Sequence, residues 1–166
     1  MAIKDALLPE FDHEMGTTRR LLERVPEQDF GWKPHSKSMA LGELTAHLAN
    51  IPTWCTTILG DPVFDIASVP DDARPKPATS RAALLAAFDE KIAAARARLA
   101  ATGDAEMMST WTLKHGGQEI FTMPRAAAIR SFVMSHIIHH RGQLSVYLRL
   151  KDVPLPPIYG PTADEA

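Results

Sequence analysis

Residues 129–147, IRSFVMSHIIHHRGQLSVY, place apolar side chains and two histidines at the three-and-four spacing of one helix face: Ile129, Phe132, Val133, His136, His140, Leu144 and Tyr147. At about 100° per residue, His136 and His140 lie roughly 40° apart, while His139 is swung about 60° from His136 the other way. His136 and His140 are thus placed to share a metal ion, histidine being the commonest metal ligand. The stripe puts both rings in the middle of the buried face, where an unpartnered polar ring costs roughly 1–3 kcal/mol. A metal, or a hydrogen-bonded polar network, supplies the partners. Two ligands alone do not make a site.

Working outward, the same periodicity marks the other helices. A first runs from about Ala6 to Val25, with Leu7, Phe11, Met15 and Leu22 on its stripe and Pro26 as its stop. A second runs from about Met39 to Ile58 behind a Ser38 N-cap, and Pro52 should kink it one turn beyond His47. The Pro- and Asp-rich connection from Gly60 to Ala78 has no periodicity and is long for a compact domain. A third helix starts at Thr79 or Ser80 and reaches about Ala101, burying Leu84, Phe88, Ile92, Ala95 and Leu99. Between Met107 and Met123, alternating pieces around Gly116 and Gly117 predict a small β-hairpin. Thr122 and Pro124 open the fourth helix, which runs to about Lys151 before a Pro-rich tail. The expectation is one all-α domain over residues 1–166, a four-helix bundle with a long crossover between its second and third helices.

Composition removes several function classes. With 45% hydrophobic and 23% charged residues, a formal charge of −2 and both signs interleaved, the chain has no electrostatic footprint of a nucleic-acid binder. No apolar run approaches the roughly 20 residues that span a bilayer, and MAIKDALLPEFDHE is too acidic for a signal peptide, so a cytoplasmic location is expected. The lone Cys55 sits on the apolar centre of the second helix and reads as a buried small hydrophobe. No phosphate loop, nucleophile elbow or dinucleotide fingerprint is present.

Of the remaining histidines, only His47 combines a helical context with a place at the edge of a buried face, beyond Leu44, Ile51 and Ile58 and near Trp54. A half-open metal site would draw a ligand there. Its neighbours Glu43 and Asn50 stand one turn away, within reach of its second ring nitrogen, although solvation is the default for such residues. Gln143 lies near the fourth-helix stripe, placed to orient a ligand, whereas His139 and Arg141 point away from it. Arg141 is expected to anchor the tail through Asp164 or Glu165. Gly142 in mid-helix suggests close helix approach, and Met134 with Ile138 marks either a homodimer contact or a face covered by the tail.

The segments FGWKPHSKSMALGELTAHLANIPTW and SHIIHHRGQLSVYLR, with the tail VPLPPIYGPTADE, resemble the DinB and YfiT-like superfamily of small bacterial proteins over nearly the whole chain. The resemblance implies an up-down-down-up four-helix bundle and a divalent metal held by three histidines, which fall here on His47, His136 and His140. Zinc or nickel is favoured, with iron and manganese also compatible with three imidazoles. The resemblance further implies a small-molecule substrate and activation of water or a low-molecular-weight thiol, as in a hydrolase or thiol S-transferase. The rival readings are a non-enzymatic, stress-related metal- or ligand-binding protein and a metal-free polar network.

Overall fold

The computed structural model describes residues 2–71, 74 and 76–165. Helix α1, Ile3–Leu22, starts earlier than its apolar pattern suggests because Asp104 accepts the Ile3 N–H at 2.9 Å and Asp5 accepts that of Ala2 at 2.8 Å. Helix α2, Leu41–Asn50, is capped not by Ser38 but by Glu43, whose carboxylate accepts the Ala40 N–H at 2.6 Å. Pro52 then interrupts the helix, as its missing donor requires, and α3, Thr53–Ile58, resumes beyond it. Helix α4, Arg81–Ala101, begins where Ser80 accepts the Ala83 N–H at 3.1 Å, and it buries Leu84, Phe88, Ala95 and Leu99. Helix α1 packs on α4 and on the last helix, α7, His136–Leu150, and α2 packs on the same two.

The all-α four-helix bundle is overturned by a three-stranded mixed sheet. After the short helix α5, Asp104–Met108, strands β2, Thr110–His115, and β3, Gln118–Pro124, form the expected antiparallel hairpin. Its turn is made by Gly116 and Gly117 at φ +60° and +82°, values that suit glycine. The crossover supplies what periodicity missed: β1, Val63–Asp65, pairs in parallel with β2. Three residues are too short to show alternation, and this strand is held by its neighbours. Asp65 accepts the backbone N–H groups of Gly116 at 2.9 Å and Gly117 at 2.7 Å, fastening crossover to hairpin. Within that crossover, residues 72, 73 and 75 lie outside the described residues.

The last helical run is not uniform. Helix α6, Arg125–Ile129, passes through a π-helical turn, Arg130–Ser135, into α7. A π turn holds an extra residue, so every later side chain is set back by about 100°. The buried stripe accordingly becomes Val133, Met134, Ile137, Arg141, Leu144 and Leu148, one residue ahead of the α-helical reading over much of its length. His136 and His140 move from the stripe centre to its half-buried flank. Met134 is buried and Ile138 packs against the core, which removes the basis for reading them as a homodimer face. Gly142 is exposed, with nothing within 4 Å of the place a methyl group would occupy, so close helix approach does not account for it and nothing in the structure explains a glycine there.

The phase shift also reverses the expectation for Arg141. It is buried, pairs with Glu14 of α1 at 2.6 Å and donates to the Tyr159 hydroxyl at 2.6 Å. Tyr159 in turn donates to the Glu14 carboxylate at 2.9 Å. Asp164 and Glu165 are taken by Arg149 and Arg24. Removing one partner of a buried ion pair strands the other charge, so Arg141→Ala is expected to cost about 3–5 kcal/mol in urea denaturation. The double variant Glu14→Leu/Arg141→Met should recover most of that loss. Equal losses in both would mean that the ion pair itself carries the stability.

Candidate metal centre

Helices α2 and α7 bring three imidazoles from distant parts of the chain together. Nε2 of His47 stands 3.1 Å from Nε2 of His136, and the ring of His140 lies 4.5 Å from that of His47 and 4.8 Å from that of His136, centre to centre. One nitrogen from each ring falls within 4.8 Å of the others, the only such convergence of metal-ligating side chains among the described residues. His13, His35 and His115 are elsewhere: His13 stacks on Tyr159, His35 accepts the Lys37 N–H, and His115 ends β2.

The neighbours fix the protons. Gln143 Oε1 lies 2.7 Å from His140 Nδ1, and Gln143 Nε2 lies 3.2 Å from His139 Nε2. With the amide oxygen accepting, His140 carries its proton on Nδ1 and keeps the Nε2 lone pair free. His139 is exposed, stands edge-on to His140 at 4.8 Å between ring centres, and is bonded to Gln143. Nδ1 of His136 is buried without a hydrogen bond of ordinary geometry, although the Phe132 carbonyl is near enough to favour its protonated form. Neither Glu43 nor Asn50 holds His47. Glu43 caps α2, and Asn50 Oδ1 accepts from Lys91 Nζ at 3.0 Å.

Burial, with mutual repulsion of the imidazolium forms, pushes His47 down to about 4 and lowers His136 and His140 as well. Near neutral pH all three rings are therefore neutral, the form that binds metal. Beside His47 opens a cleft of about 520 Å³ between the α2–α3 wall, with Asn50, Thr53, Trp54 and Thr57, and the crossover, with Phe64, Ile66, Val69 and Arg74. Its volume is within the range of small-molecule sites. Cys55 is not part of it: the thiol is buried against the Ala95 carbonyl and burial pushes it up to about 12, so it stays protonated. The crossover wall and Lys91 escaped sequence reading because neither carries a periodic or motif signal.

The chain belongs to the DinB family, whose model matches residues 1–166. It is similar in fold to a DinB-like protein from Bacillus cereus, at 16% identity and a TM-score of 0.70, with 93% of this chain and 97% of that one covered. A DinB-like protein from Bacillus subtilis gives 18% identity and a TM-score of 0.71, over 93% and 98% of the two chains. No protein of curated function matches the sequence. No helix among the described residues is long and apolar enough to cross a membrane.

The depressed histidines generate a pH dependence. Between about 6.5 and about 4 the unfolded chain binds protons that folded His47 refuses, so metal-free protein loses stability as pH falls through that window. Thermal midpoints measured from pH 7.5 to 4.5 should decline, and His47→Gln should flatten the decline. A slope unchanged in that variant would assign the proton uptake elsewhere.

Proposed function

We propose that this chain is a metal-dependent enzyme in which His47, His136 and His140 hold a divalent ion, zinc or nickel before iron or manganese. The observation that carries the reading is the convergence of three neutral imidazoles beside an open cleft. The donor set fits: two nitrogens on a tetrahedral zinc are about 3.3 Å apart when each bond is 2.0–2.1 Å, close to the 3.1 Å between His47 and His136. The outward bond of His140 to Gln143 is the kind that aims a ligating imidazole.

A bound ion would supply Lewis acidity, lowering the pKa of water or a low-molecular-weight thiol and polarising a carbonyl. The reaction class is thus hydrolysis or thiol S-transfer on a small molecule. Beside that chemistry Trp54 and Phe64, edge to face at 5.6 Å, present an apolar wall of the cleft. Gln143 holds the His140 proton on the side away from the cluster.

Tag-free protein is expected to carry about one metal per chain, lost in His47→Ala and in His140→Ala, when measured by elemental analysis. No metal and no thermal stabilisation by added zinc, nickel or manganese would leave a metal-free polar network instead. Gln143→Leu, at an exposed position, should weaken zinc binding about 10–100-fold in chelator competition. Undiminished affinity would remove Gln143 from the site.

A further inference from the structure

Of the polar groups lining the cleft, Asn50 and Arg74 are the ones with donors to offer a ligand, since the Thr53 and Thr57 hydroxyls already donate to Asn50 Oδ1 and to the Thr53 carbonyl. Arg74 is the only charged side chain, and there is no carboxylate, among the described lining residues. Its pair with Asp71, at 3.2 Å with 61% and 93% of the two side chains exposed, is a surface contact that holds the guanidinium weakly. On the other wall, Asn50 has its oxygen occupied by Lys91 at 3.0 Å and by the Thr53 hydroxyl at 3.5 Å. That leaves Nδ2, with no partner among the described residues, as the group Asn50 can offer a ligand one turn from His47. The ammonium of Lys91 is half-buried behind it and forms no ion pair within 4 Å among the described residues. Burial lowers its pKa, which the neighbouring Glu90 carboxylate only partly offsets. Between these donors the surface is apolar, from Trp54, Phe64, Ile66 and Val69, with the Trp54 and Phe64 rings edge to face.

We propose that the cleft receives a small organic anion with an apolar body. Asn50, backed by Lys91, donates to the anion on the wall of His47, Arg74 supplies the positive charge of the opposite wall, and the body lies against Trp54 and Phe64. Lys91 is here a positioning residue that turns the Asn50 amide so its N–H groups face the ligand. The inference deepens the metal-dependent reading and rests on it only in treating the occupant as substrate.

The test is calorimetric titration of the zinc-loaded full chain with phenylacetate and with the neutral isostere phenylacetamide. Phenylacetate is expected to bind at least about tenfold more tightly, since hydrogen bonds to a charged group are worth that much. Asn50→Ala and the exposed-side variant Arg74→Gln should each reduce the preference several-fold, while His140→Ala, with zinc content measured separately, should keep it. Equal affinities for the two probes, or no binding of either, would overturn the proposal. A preference that survives Asn50→Ala and Arg74→Gln but vanishes with the metal in His140→Ala would also overturn it, placing the anion on the ion and leaving the metal reading intact.

Discussion

One extra residue in the turn Arg130–Ser135 sets the phase of everything that follows it. Without it, an α-helical register would send His136 and His140 into the core and leave Ile137 and Leu148 outside. With it, aliphatic side chains fill the interior and the imidazoles stand at the flank where α7 meets α2. The same rotation drives a guanidinium inward. Arg141 survives there because Glu14 and the Tyr159 hydroxyl satisfy it, and that requirement ties α1 and the tail to the helix bearing the histidines.

A second constraint acts on the opposite wall. Pro52 breaks the helical ladder between His47 and Trp54, so one side of the cleft is formed by two short helices in succession. The crossover then returns past them as β1 and the residues after it. Two unrelated devices, a proline and a strand borrowed by the sheet, thus shape one space. The donors in that space, Asn50 at the end of α2 and Arg74 in the crossover, come from elements that have no other reason to meet, and Lys91 of mid-α4 stands behind the first of them.

Much of this is legible in the amino-acid sequence. Ser80 and the Leu84–Phe88–Ala95–Leu99 pattern mark α4, Pro52 marks the break, and Gly116–Gly117 marks the hairpin, because each acts through local backbone chemistry. His136 and His140 stand out by helical spacing and His47 by its place at the edge of a buried face, and the resemblance then unites the three. What stays hidden depends on tertiary context. β1 has no pattern of its own, a π turn leaves no signature in a stripe read at 3.6 residues per turn, and the partner of Arg141 lies 127 residues away. The expected bundle failed for the first of these reasons.

The fastening of Asp65 to Gly116 spans 51 positions, and it bears on the order in which the molecule assembles. The β2–β3 hairpin closes a short loop, whereas parallel pairing with β1 closes a long one that contains both α4 and α5 and costs more chain entropy. The far wall of the cleft is therefore among the last parts of the chain to fall into place. Binding competence becomes a late reporter of successful folding, and a nascent or partly unfolded chain has helices but no receptacle.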